Sequence, residues 1–196
     1  MFIAPPPESD AVSRVYRSNL DSYGFVMNLT RAWAWRPDVF EGFAALRNQL
    51  TGESTLSKRE VAVLVCATAA GLGDSYCALA WGKTLAQAAD AQAAAAVIEG
   101  TTSAGMSSRE AALAAWARKV AAHPNGTTPA DIALLREAGL TEREIVEATM
   151  FVAFRLAFST VNDALGLQPD WQLVDSAPAE VTAAVRFGRP PASRPA

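Results

Sequence analysis

Histidine is almost missing from this chain: His123 is the only one in 196 residues, and it sits in the loop His123-Pro124-Asn125-Gly126. That setting assigns it to the surface, and a Cys-His-Asn or Ser-His-Asp arrangement has no other histidine to draw on. Cysteine is nearly as scarce. Cys66 and Cys77 alone do not staple a secreted fold, and with one histidine they supply no ligand set for zinc, so neither a metal nor a cofactor is expected. No glycine-rich loop follows a strand pattern, which leaves nucleotide phosphates without a cradle. Basic residues are outnumbered, 17 Lys and Arg against 20 Asp and Glu, so there is no electrostatic footprint for nucleic acid. The longest apolar run, Val61 to Gly73, is too short to span a bilayer. The opening MFIAPPPESD has no basic stretch ahead of an apolar core; no secretory signal is expected, and the cytoplasm is the expected compartment.

What is present is helix punctuation. Hydrophobic residues make up 51% of the chain and many are alanine, which costs least in a helix and lets helices approach closely. Ser9 or Asp10 caps a helix carrying Val12, Val15, Tyr16 and Leu20 toward Gly24. Pro37 at a first helical position starts another, with Phe40, Phe43, Leu46 and Leu50 on one face. Ser57-x-x-Glu60, Ser107-x-x-Glu110 and Thr141-x-x-Glu144 are three capping boxes, the last heading a long helix to about Leu165. Thr128-Pro129 opens a short helix that Gly139 ends. No segment alternates with period two. An all-α domain of about seven or eight helices is predicted over residues 1–175. Residues 176–196, with Pro178, Pro190, Pro191, Pro195 and three arginines, read as a C-terminal arm preceded by a short helix over Val181 to Phe187.

The most informative stretch is Leu56 to Leu85, LSKREVAVLVCATAAGLGDSYCALAWGKTL. One helix ends at Gly71-Leu72-Gly73 and the next starts at once with Asp74-Ser75-Tyr76-Cys77. The two are expected to pack antiparallel, with Val61, Leu64, Val65 and Thr68 facing Cys77, Ala80 and Trp81. Cys77 falls in the first turn, where unpaired N–H groups and the positive end of the helix favour thiolate. Asp74 opposes that charge while capping the helix, and Trp81, one turn on, shields the sulfur. A reactive thiolate and a buried inert thiol are both open on these residues. Cys66, among Val63, Leu64 and Val65, reads as a small core side chain.

The same stretch resembles the redox centre of the alkylhydroperoxidase AhpD and carboxymuconolactone decarboxylase family. That family's pattern is E-x(11)-C-x-x-C-x-x-x-H, in which the second cysteine attacks peroxide, the first resolves it, and the glutamate and histidine relay protons. Cys77 matches the second cysteine; Asp74, Trp81 and Ala62 stand where the first cysteine, the histidine and the glutamate would be. Glu60 is two residues away from the glutamate position, turned to the opposite helix face. Asp21 to Leu29 with Arg36-Pro37, Leu134 to Glu147, and Asn162 to Leu167 look like the longer, peroxidase-related branch. The resemblance implies the family's helical fold and assembly as a dimer, trimer or hexamer. It also implies a thiol-dependent antioxidant that reduces organic hydroperoxides through Cys77, aided by Cys66 or an external thiol reductant. The substitutions support an alternative: a redox-inactive relative that binds a small apolar ligand, or performs decarboxylase-like lyase chemistry, with Asp74, Tyr76 and Trp81 lining the pocket.

Overall fold

The apolar run after Ser57 becomes the central helix of the protein, because every face of it meets another helix. A computed structural model describes residues 1–194. In chain order its helices are α1 (Asp10–Tyr23), α2 (Asn28–Trp33), α3 (Pro37–Glu53), α4 (Lys58–Leu72), α5 (Ser75–Ala88), α6 (Ala91–Glu99), α7 (Ser108–Ala122), α8 (Pro129–Glu137), α9 (Glu142–Ala164), α10 (Trp171–Ser176) and α11 (Ala179–Ala184). Eight of the eleven have seven or more residues, and no strand occurs among the described residues. No described helix is long and apolar enough to cross a membrane.

All of Val61 through Ala69 is buried, the mark of a helix surrounded on all sides. Around α4 pack α5, α6, α7 and α9. Gly73, at φ +74°, takes the left-handed conformation that glycine adopts without strain. It lets Asp74 N–H reach back to the Ala69 carbonyl at 2.9 Å and reverses the chain. Ala69 then lies against Cys77 and Ala78, while Val61 and Val65 share a cavity wall with Trp81; this order makes α4 and α5 antiparallel. Ala80, expected on that seam, turns instead to a second cluster with Leu79, Leu167 and Leu173.

All three capping boxes form. Each is also tied to another helix. Arg109, third residue of the α7 box, reaches Glu60 of the α4 box and Glu144 of the α9 box, both at 2.5 Å. Arg59 of α4 returns the exchange, its Nη2 lying 3.1 Å from Glu110 of the α7 box. In the α4 and α7 boxes the glutamate thus caps its own helix and the arginine locks a neighbour's cap, whereas Arg143 of the α9 box pairs with Glu147 of its own helix and the Glu53 carbonyl.

Three short or unflagged helices, α2, α6 and α10, add to the predicted set. The N-terminal N–H of α2 is satisfied by the Asp170 carboxylate, 142 residues away, at 3.0 Å, a cap with no local signal. The helix predicted over Val181 to Phe187 ends earlier, at Ala184. Val185 leaves helical geometry, and Val185 and Phe187 drop onto α5 as part of the arm.

Candidate functional site

Asp74 caps α5: its Oδ1 accepts the Cys77 N–H at 2.9 Å. The carboxylate is fully enclosed, and its Oδ2 has no hydrogen-bond partner. Cys77 is therefore held in the first turn with its sulfur directed into the core rather than to water, 3% exposed.

The other half of the site comes from α9. Arg155, Ser159 and Asn162, spaced by four and three residues, fall on one helix face, and that face is buried. Arg155 Nη1 donates to Cys77 Sγ at 3.0 Å. Asn162 Nδ2 lies 4.0 Å from the same sulfur, its Oδ1 fixed by the Trp33 indole N–H at 2.9 Å. The Arg155 guanidinium lies over the rings of Trp81 and Phe158, at 5.6 and 5.2 Å from their centres. Its Nε is buried without a partner, and no carboxylate forms an ion pair with it among the described residues.

Burial pushes the Cys77 thiol up to about 12; Arg155 pulls it down, Asp74 pushes it further up, and the Ser159 hydroxyl lowers it. The opposing neighbours leave desolvation in command, and the thiol is protonated at neutral pH. Cys66, completely enclosed beside it in the core, is raised by the same cause. Both cysteines are free thiols.

Next to the Arg155–Cys77 pair a cavity of about 370 Å³ opens between α3, α4, α5 and α9. Its wall is apolar and largely aromatic: Phe43, Val61, Val65, Trp81, Phe151 and Phe154. Arg47, Asn48 and Thr51 of α3 add polar groups, and Arg155 completes the lining. Among the described residues, no aspartate or glutamate lines it.

The C-terminal arm closes a different side of the cysteine. Val185 and Phe187 pack with Ala69, Cys77 and Ala78, and Ser75 Oγ donates to the Arg189 carbonyl at 2.7 Å. Gly188, at φ +72°, passes so near the α4–α5 turn that a Cβ would stand 2.4 Å from the Gly73 carbonyl oxygen. Arg189 Nη2 donates to the Asp163 carbonyl. Burial, then the neighbouring Asp74, raise the Asp163 carboxyl to about 6, with Arg189 opposing.

Of the residues singled out in the sequence, Cys77 and Trp81 contact Arg155, and Asp74 holds the Cys77 backbone. Tyr76 turns the other way: its hydroxyl donates to Asp170, accepts from Leu29 N–H at 3.4 Å, and does not line the cavity. Ala62 is enclosed in the core, and Glu60 is engaged in its capping box and with Arg109. Asp74 also stays outside the cavity lining. Arg155, Ser159 and Asn162 were not singled out. Their signal is an α9 core stripe, Ile145, Ala148 and Val152, that continues into polar residues at the same spacing, and a polar side chain at a core position needs a reason.

No protein-family model matches the sequence, and none of the curated proteins matches it. Solved structures do. An uncharacterized peroxidase-related protein of Ralstonia eutropha JMP134, described as an alkylhydroperoxidase AhpD core, superposes with a TM-score of 0.75 at 26% identity, covering 95% of this chain and 97% of its own. A peroxidase-related protein of Silicibacter sp. TM1040 gives 0.74 at 23% identity over 88% of this chain and 91% of its own. A cysteine-to-alanine variant of the debrominase Bmp8, in complex with 2,3,4-tribromopyrrole, gives 0.72 at 17% identity over 94% and 96%. The chain has the AhpD-like, peroxidase-related fold.

Proposed function

We propose that this chain binds a small apolar molecule of aromatic size in the cavity beside Trp81 and Arg155. The observation that carries this reading is a roughly 370 Å³ apolar cavity lined by Arg155, whose guanidinium contacts a buried cysteine kept protonated behind it. The volume lies within the usual range for small-molecule sites, about 300–1,000 Å³. A peroxide-reducing thiol needs to ionise and to be resolved. Here burial opposes the first, and an aspartate occupies the position from which the family's resolving cysteine would act. The debrominase that shares the fold binds a halogenated pyrrole, a ligand of the size and character this cavity suits.

A second reading, thiol chemistry on the bound molecule, is favoured by the contact from Arg155 Nη1 to Cys77 Sγ. Calorimetric titration with 2-naphthamide tests the first reading and separates it from peroxide turnover. Binding with Kd on the order of 100 µM is expected, lost in Val65→Trp, which fills the cavity, and kept in Cys77→Ala. Absence of binding, together with rapid turnover of an organic hydroperoxide and a dithiol, would overturn the reading in favour of an antioxidant enzyme.

A further inference from the structure

Among the described residues, Arg155 is a buried cation without a counter-ion. It is 9% exposed, and among the described residues its Nε meets no acceptor and its one side-chain hydrogen bond is to a thiol sulfur. Two aromatic rings occupy its faces. Rings stabilise a guanidinium only in part, and a buried charge is costly unless an anion pairs with it. Arg109 and Arg59, both less buried than Arg155, each reach a capping-box glutamate, and the half-buried Arg118, which meets no carboxylate among the described residues, is held by the Val97 and Ile98 carbonyls. Arg155 alone of these faces a cavity.

The cavity lining points the same way. In a chain of net charge −3, the cavity walls carry two arginines, Arg47 and Arg155, and no carboxylate. Asp74 accepts the Cys77 backbone N–H, capping α5, and raises the thiol. It does not form an ion pair with Arg155 and does not line the cavity.

We infer that the molecule taken by this cavity carries one anionic group on an otherwise apolar body: an aromatic-sized carboxylate whose ring lies among Phe43, Phe154 and Trp81 and whose charged group pairs with Arg155. This rests on the ligand-binding reading above and adds the ligand's charge to it. Arginine suits the task because its planar fork matches a carboxylate and is less strongly hydrated than an ammonium, so it loses less on burial.

The test uses two probes of the same shape, 2-naphthoate and 2-naphthamide, titrated calorimetrically into the full-length protein, Arg155→Met and Arg155→Lys. On the wild type the acid is expected to bind about tenfold or more tighter than the amide, the scale of one charge-assisted contact. Arg155→Met should erase that preference while still binding the amide, which shows that the variant is folded with its cavity intact. Arg155→Lys should restore part of it. Equal affinity of the two probes on the wild type overturns the inference and leaves the ligand-binding reading standing, and this comparison does not depend on any variant folding. Arg155→Met binding the acid as tightly as wild type overturns it as well. If neither probe binds the wild type, the reading and the inference fall together.

Discussion

Arg155 and Cys77 meet across 3.0 Å, guanidinium nitrogen to sulfur, from helices that have no sequence proximity. The contact joins the middle of α9 to the first turn of α5, and it opposes the burial that governs the cysteine. An arginine at that distance stabilises a thiolate; the enclosed carboxylate of Asp74 and the loss of water destabilise it. Desolvation is the largest of these influences, and the thiol is raised to about 12.

The first prediction concerns that balance. Alkylation of native Cys77 is expected to be slow at pH 7 and still rising above pH 9, becoming fast on unfolding. Asp74→Asn keeps a good N-cap but removes the negative charge, so the thiol's pKa should fall and the neutral-pH rate should rise several-fold. Arg155→Met should do the reverse. Iodoacetamide rates against pH, read by mass spectrometry, check all three; fast wild-type alkylation at pH 7 contradicts the assignment.

The C-terminal arm supplies a second prediction. Val185 and Phe187 cover Cys77, and Ser75 pins the arm through the Arg189 carbonyl. Truncation after Ala184 should raise the Cys77 alkylation rate by about an order of magnitude, by turning a globally gated opening into a local one. Cys66, enclosed in the main core, should stay slow and serves as the internal control. Gly188→Ala should act in the same direction more weakly, because its Cβ would press on the Gly73 carbonyl.

The all-α class, the three capping boxes, the α4–α5 hairpin and the Asp74 cap were all legible in the sequence, because each rests on contacts within a few residues. The site was legible only on its α5 side. Arg155, Ser159 and Asn162 lie about eighty residues further on, and nothing in residues 145–165 says which neighbour their face will meet. A cation for Cys77 could be anticipated only as a gift of tertiary structure. Tyr76 was placed with the pocket because it adjoins Cys77 in sequence, but one residue along a helix turns a side chain by about 100°, and this turn delivers it to Asp170. The early end of α11 follows from the same limit: Val185 and Phe187 obey the apolar surface around Cys77, not their own helix pattern.

Arg109 should prove more important to stability than to any activity. It holds the capping glutamates of α4 and α9 together; Glu144, raised by burial, is brought down to about 2 by the Thr141 backbone N–H, then by Arg109 and the Thr141 hydroxyl. A folded-state pKa below the ordinary value of 4.5 means stability that is present above pH 4.5 and lost as pH falls toward 2. Arg109→Met is expected to cost about 2 kcal/mol at pH 7 and to flatten the fall in stability between pH 4.5 and 2. Urea denaturation at pH 7, 4.5 and 3 measures both effects.

Asp163 runs the opposite way. Its carboxyl is raised from 3.8 to about 6 by burial and by Asp74, so the folded state holds a proton more tightly than the unfolded chain. Its contribution is therefore fully present below pH 3.8 and is lost as pH rises through 6. Asp163→Asn should match wild type near pH 3.5 and exceed its stability at pH 7.5, by on the order of 1 kcal/mol, since the side chain is only half-buried and water screens it. Equal stability of the two at pH 7.5 would show that Arg189 already cancels the repulsion.

The last prediction concerns assembly, which we propose on the strength of α3. This seventeen-residue helix has no fully buried residue, although Phe40, Phe43 and Leu50 lie along it and Val39 and Leu46 stand 44% and 47% exposed. Val39 and Leu46, seven residues apart, share one face, and Trp35 just ahead is 48% exposed. A helix this weakly buried is marginal on its own, and a second copy of the chain packed on that face would cover it. Light scattering at micromolar concentration is expected to give a dimer or a larger closed assembly. Val39→Glu with Leu46→Glu should shift it to the monomer without unfolding α4 to α9, whose core these residues do not join. A wild-type monomer at that concentration would refute the assignment, and α3 would then have to be held by α1, α2 and α9 alone.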